Sequence, residues 1–282
     1  MAGRTLAIGD IHGCDYALAT LLQLVQPTRF DTVVVLGDVV DRGPGTRQVI
    51  DQLLALRDTC EVVLVLGNHD QMMLAAAENP AVGLRPWLQH GGHATLFSYG
   101  GPLEAIPPRH LEFLRSGIDL FPTATELFVH ANLEPGVPLY EQSPTMLRWT
   151  ALAESLAPWD DGRRVICGHT SQRTHVPRVE AGWVCIDTAC CRGGWLTALD
   201  VGRDLVYQAN DQRQTRQFPL RDAAAFALVE TQAEQPLPQV PSEADSASET
   251  AAGPDAGDTD ARDTDARDAG APDATPPVTD RT

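Results

Sequence analysis

Three short apolar runs near the start of the chain stop at the same kind of punctuation. "RTLAIGD", "DTVVVLGD" and "EVVLVLGNHD" each reach a glycine and then turn polar, giving "GDIHG", "GDVVDRGPG" and "GNHD". Continuous Val- and Leu-rich runs of this length suit strands buried on both faces. Between them, "DYALATLLQLVQ" places Leu18, Leu21, Leu22 and Val25 at helical spacing. "TRQVIDQLLALR" does the same with Val49, Ile50, Leu53, Leu54 and Leu56, and "QMMLAAAE" starts a third helix. Alternating strands and helices build α/β units around a parallel sheet. Ligands in such sheets gather at the carboxyl ends of the strands, so the three polar clusters are expected at one edge.

The rest of the chain is less regular. "PWLQHGGHATLFSYGG" and "IPPRHLEFLRSG" read as short helices and loops. Strand-like runs follow: "ELFVHANL", "RRVICGHT", "GWVCID", "GWLTALDV" and "LVYQAN". Beyond about residue 160 they lack long intervening helices, which predicts antiparallel pairing and a second sheet. From residue 231 the composition becomes Ala-, Asp-, Pro-, Ser- and Thr-rich, with "DTDAR" twice in tandem. Such a segment cannot bury enough apolar surface to offset chain entropy. The expected organisation is therefore a catalytic domain over 1–230 and a disordered acidic tail over 231–282.

The net charge is −17, and the tail holds 12 of the acids against 3 Arg. What remains on the first 230 residues is ordinary for an enzyme domain. An acidic chain is a poor binder of nucleic-acid phosphates. The six cysteines show no C-x-x-C spacing, which argues against a structural zinc site. Several lie in apolar runs as small buried hydrophobes; the adjacent Cys190 and Cys191 could be redox-active, though the plain reading is preferred. The N-terminal apolar stretch is too short for a signal peptide or membrane span, so a cytoplasmic protein without membrane contact is expected.

The strand-end clusters supply Asp10 and His12, then Asp38, Asp41 and Arg42, then Asn68, His69 and Asp70. His130 in "FVHANLEP" and His169 in "ICGHT" each follow a later strand. Singly, each has a plain explanation as a turn former or a packed histidine. Five such clusters together offer carboxylates, imidazoles and a carboxamide, the donor chemistry of two divalent metals.

In this order, "GDIHG", "GDVVDRG" and "GNHD" resemble the signature of the phosphoprotein phosphatase family of calcineurin-like metallophosphoesterases. "FVHANL" and "CGHT" complete it, and "WLQHGGHATLFSYG" and "IDTACCRGGWLTALDV" are similar to stretches of bacterial members. The resemblance implies a β-sandwich flanked by helices. It implies that Asp10, His12 and Asp38 hold one metal, and that Asp38, Asn68, His130 and His169 hold the other, so that Asp38 bridges. It implies a hydroxide shared by the metals as nucleophile, His69 as general acid oriented by Asp41, and Arg42 on the substrate phosphate. A second phosphate-binding arginine is expected beyond His130; Arg148 in "TMLRWTAL" matches, with a helix-surface arginine as the plain alternative. Asp70 stands where eukaryotic members have Glu, and "HANLEP" and "CGH" also fit a bacterial-type enzyme.

Mn, Fe or Zn suits these donors, with Mn expected in a bacterial-type enzyme. The expected function is a protein serine/threonine phosphatase acting on phosphoproteins, because an alkoxide leaving group needs the acid that Asp41 would orient. The alternative is a dinucleoside polyphosphate hydrolase, which shares "GNHD" and "RGPG" but generally lacks the second Asp of "GDVVDRG". A third possibility is an inactive scaffold. Nothing in the sequence implies a partner subunit.

Overall fold

The computed structural model describes residues 3–227. The three N-terminal runs form β1 (Thr5–Ile8), β2 (Thr32–Val35) and β3 (Glu61–Leu64), parallel and adjacent in that order. Helices α1 (Asp15–Val25) and α2 (Thr46–Leu56) make the crossovers. Side chains alternate across each strand. Leu6, Ile8, Val33 and Val35 therefore pack with Leu18, Leu21, Val49, Ile50 and Leu53 of the helices. Ala7, Val34 and Leu36 face the other way, into the interior of a sandwich.

The third helix, α3 (Asn68–Glu78), begins earlier than the periodicity suggests. Asn68, His69 and Asp70 form its first turn, and Asp70 Oδ2 accepts from the Gly67 amide at 3.0 Å. This is the N-terminal carboxylate that helix ends favour. Beyond it come α4 (Pro80–Trp87), a π-helical turn over Leu88–Gly92, α5 (His93–Tyr99) and α6 (Pro108–Arg115).

The second sheet is built from β4 (Leu120–Pro122), β5 (Glu126–Val129), β6 (Arg164–Cys167), β7 (Arg178–Glu180) and β8 (Trp183–Cys185). Here the antiparallel expectation fails for the central strands: β5, β6 and β8 run parallel. The chain between β5 and β6 returns through loops and one short helix, α7 (Pro144–Trp149), so a parallel crossover exists without a long helical signature. Antiparallel pairing holds for β9 (Leu196–Asp200) and β10 (Leu205–Ala209), but they join the first sheet beside β1. That sheet ends in β11 (Thr215–Pro219), a polar edge strand with no apolar run to announce it.

The inner faces meet through Ala7, Val34, Leu36, Phe128, Ile166, Val184, Ile186, Leu199 and Val206. The architecture is thus an α/β sandwich of two mixed sheets with flanking helices, as the sequence resemblance implied. The acidic tail at 231–282 lies outside the described residues. Among the described residues, no helix is long and apolar enough to cross a membrane.

Phe128 is fully buried between the sheets and contacts the Phe121 ring at 5.9 Å. Phe128→Ala should lower the unfolding free energy by about 3–5 kcal/mol, the usual cost of an aromatic-sized cavity. Denaturant titration checks this; a change below about 1 kcal/mol would mean that the sheets do not pack through this residue.

Candidate active site

Because β1, β2, β3, β5, β6 and β8 all point the same way within their sheets, their carboxyl-end loops carry the polar residues to one rim. Bonds between those loops join the two sheets there. His130 Nδ1, after β5, bonds Leu36 O after β2 at 2.7 Å. The His169 amide, after β6, donates to Asp10 Oδ1 after β1 at 3.1 Å.

The loops are tightly wound. His12, Asp38, Asp41, Arg42 and His169 all have positive φ, between 47° and 72°. That region is sparsely populated by residues with a Cβ, and clusters of it mark functional sites. Two glycines let the loops close up. A Cβ on Gly67 would lie 2.2 Å from Asp38 Oδ1, and one on Gly168 would lie 2.1 Å from Asp10 Oδ1.

Each candidate imidazole is tied to a backbone carbonyl by one ring nitrogen, which leaves the other turned toward the cluster. His12 Nδ1 bonds Val40 O at 2.9 Å, His130 Nδ1 bonds Leu36 O, and His169 Nε2 bonds Trp149 O at 3.1 Å. Such bonds fix tautomer and ring orientation in metal sites. Asp38 lies between the rings. Its Oδ2 is 3.5 Å from His12 Nε2, and its Oδ1 is 3.5 Å from His130 Nε2. Asn68 Oδ1 lies 3.1 Å from His130 Nε2 and 3.2 Å from His169 Nδ1. Two groups of ligand atoms result, each within 4.8 Å: His12, Asp38 and His69, and Asp38, His130 and His169.

The electrostatics suit cations. Burial pulls the His12 pKa down to about 3 and lowers those of His130 and His169. Neutral imidazole is the ligand form. Burial opposes ionisation of Asp38, but His130, His12 and His69 outweigh it and hold the carboxyl well below its usual range. Asp10 is pushed well up by burial and by the neighbouring charges of Asp187 and Asp38. Clustered buried carboxylates are costly without positive charge among them. The donor set therefore fits two divalent cations that share Asp38. Two expected ligands lie outside both groups: Asn68, whose Oδ1 faces His130 and His169, and Asp10, whose carboxylate faces the His169 amide.

His69 and Asp41 are brought together as expected. His69 Nδ1 lies 2.8 Å from Asp41 Oδ2, and both side chains are buried. Burial disfavours the imidazolium, but the bond to Asp41 and the charge of Asp38 win, and the His69 pKa is raised. Arg42 NH2 reaches His69 Nε2 at 2.9 Å, and its NH1 reaches His12 Nε2 at 2.8 Å, so the guanidinium lies over the cluster. Arg148 is buried on α7 and close enough for its charge to act on His130. It is ion-paired with Asp119, while its Nε has no hydrogen-bond partner.

Other residues of the site have roles that the sequence does not assign. Asp41 also accepts from Trp87 Nε1 at 2.9 Å and Thr95 Oγ1 at 2.8 Å. Both come from the "PWLQHGGHATLFSYG" stretch, whose likeness to bacterial sequences is visible but assigns no role. Asp70 accepts from the Asp38, Val39 and Gly67 amides and so clamps the β2 loop to α3; burial and the Asp38 charge raise its pKa to about 7. Asp187, at the end of β8, accepts from Ser171 Oγ at 2.6 Å.

Comparison with known proteins places this geometry. The sequence model of the calcineurin-like phosphoesterase family matches residues 3–173. A symmetrical bis(5'-nucleosyl)-tetraphosphatase of Klebsiella pneumoniae is 42% identical over 91 residues, 30% of this chain and 32% of that protein. The first such relatives are matched over only a quarter to a third of their length. The enzyme of the same name from Chromohalobacter salexigens is 28% identical over 262 residues, 70% of this chain and 94% of that protein. A crystal structure assigned to a diadenosine tetraphosphatase shares the fold with a TM-score of 0.56 at 23% identity, over 78% of this chain and 94% of that one.

The protein-phosphatase expectation, with its phosphoprotein substrate, is overturned: the curated relatives are named for dinucleoside tetraphosphates. The structure shows why Asp41 misled. Its carboxylate receives Trp87 and Thr95 as well as His69, so it anchors the α4–α5 segment and says nothing specific about the leaving group. With the family match spanning more than half the chain and two candidate ligand groups assembled at the sheet edge, this protein belongs to the calcineurin-like phosphoesterase family.

Proposed function

We propose that this chain hydrolyses dinucleoside tetraphosphates symmetrically, giving two nucleoside diphosphates. The observation that carries this is the likeness to the Chromohalobacter enzyme, which extends over nearly all of that protein. Asp38 would bridge two divalent metals, Mn in our reading. Asp10 and His12 would complete one site, and Asn68, His130 and His169 the other. When bound, the pair supplies Lewis-acid charge and an activated water for attack at phosphorus.

The chain's own groups do the rest. Arg42 lies over the cluster, and its NH1 and NH2, which bond His12 Nε2 and His69 Nε2, would transfer to phosphoryl oxygens when substrate and metals bind. It meets the charge that develops there with a cation already positioned. Arg148 adds a second positive charge beside His130. His69, whose pKa Asp41 raises, would present an N–H at Nε2 to the bridging oxygen as the phosphoanhydride breaks, once Arg42 has turned from that nitrogen to the phosphates. A nucleoside diphosphate leaves more readily than an alkoxide, so this proton contributes less than it would in phosphoserine hydrolysis.

With Mn present, kcat/KM for diadenosine tetraphosphate should exceed that for a phosphoserine peptide by at least about tenfold, roughly 1.4 kcal/mol of transition-state binding. ADP should be the sole nucleotide product. A preference for the peptide, or release of AMP and ATP, would refute the assignment.

Asp38→Asn should abolish most turnover and lower the bound-metal content measured by elemental analysis. An Asp38→Asn protein that keeps full activity in the presence of chelator would rule out a bridging role. His69→Asn separates two roles, because its ring lies within the first ligand group. As general acid its loss should cost up to about 10²-fold in kcat, less than for an alkyl phosphate, with metal content unchanged. Loss of one metal equivalent would make it a ligand instead.

A further inference from the structure

Four of the five tryptophans are wholly or partly buried, Trp87 and Trp183 among them, whereas Trp149 is 40% exposed. Its place is specific. It ends α7, directly after the buried Arg148. Its carbonyl accepts from His169 Nε2, and its indole Nε1 donates to Gln71 Oε1 at 3.0 Å. Gln71 lies in α3, two residues beyond His69. One residue thus touches a candidate ligand on one side and the helix that carries the candidate acid on the other. Among the described residues, other aromatic rings are more exposed, but Trp149 is the one that bonds both a candidate ligand and α3, so its half-exposed ring stands at the rim of the site.

We propose that the Trp149 indole is the platform on which one purine or pyrimidine base of the substrate stacks. This rests on the dinucleotide reading above and deepens it. The Nε1 bond to Gln71 holds the ring in one plane, which reduces the ordering cost on binding. Aromatic rings accept any base through its π face, so the platform contributes affinity without strong choice among bases. The phosphate chain would run from the ring toward Arg42 and the metal ligands, with Arg148 beneath. Phosphoryl recognition alone does not separate a nucleotide from other phosphate compounds; a flat apolar surface beside the phosphates does.

The test compares wild type with Trp149→Leu and Trp149→Phe in the full chain loaded with Mn. The backbone carbonyl that bonds His169 survives both substitutions. The readouts are KM for diadenosine tetraphosphate and the inhibition constants of ADP and of pyrophosphate, the latter having the phosphates without the base. Trp149→Leu should raise KM and the ADP constant about tenfold or more. The pyrophosphate constant should stay within about twofold, and Trp149→Phe should recover most of the loss. Equal weakening of ADP and pyrophosphate would show that the residue only shapes the rim, and unchanged ADP inhibition would exclude stacking. Either result overturns the proposal. Failure of wild type to prefer the dinucleotide over a phosphopeptide would instead refute the functional reading, while the ADP-to-pyrophosphate ratio would still report on Trp149.

Discussion

The Asp38 carboxylate gives one oxygen to the side of His12 and the other to the side of His130. Everything around it serves to keep an ionised carboxylate in a buried place. Such a charge is tolerable only where fixed donors and positive charge surround it. The His69 amide donates to its Oδ1 at 3.0 Å, from the first turn of α3. Asp70 holds the Asp38 backbone from the same turn. The helix start, the β2 loop and the ring positions are therefore one mechanical unit. The parallel strands of both sheets deliver its parts to a common rim.

That unit explains the concentration of left-handed backbone. Five of the eleven non-glycine residues at positive φ among the described residues belong to the site, each at a conformational cost. Each is held by hydrogen bonds: His12 by Val40, Asp38 by Asp70, Asp41 by Trp87 and Thr95, Arg42 by Gly91, His169 by Asp10 and Trp149. Strain held by the surroundings keeps ligand atoms in place before any cation arrives. It also couples the site to α4 and α5, which touch no candidate ligand except through Asp41.

The residues of the candidate ligand groups were legible in the sequence because donor chemistry admits few residue types and strand ends are a natural place for them. The β–α–β–α–β start was legible for the same kind of reason: buried parallel strands read as continuous apolar runs. The second sheet was misread where β5, β6 and β8 run parallel, because periodicity signals a crossover only when a helix makes it, and here loops do. Asp70 was visible in "GNHD" but its role was not, and Trp87 and Thr95 escaped, because a hydrogen bond to a backbone amide or a carboxylate leaves no trace in local pattern. Trp149 escaped because an exposed tryptophan and a buried one are spelled alike.

The Asp41–His69 pair shows where inference from motif to substrate breaks. The pair fixes a proton at a given atom, and that is a statement about reaction type. Which molecule is hydrolysed is decided by what lies beside the phosphates, where the family's common ligands make no distinction. Protein phosphatases share this fold, so the sandwich itself is equally silent. In this chain the rim holds Arg42 over the candidate ligands and, on α7, the buried Arg148 near His130 followed by the half-exposed Trp149. A phosphoserine offers nothing flat to such a ring, whereas a nucleotide carries its base one phosphate chain and one ribose away from the reacting atom. On the dinucleotide reading proposed above, substrate class rests on residues beside the phosphates, with Trp149 the first of them to test.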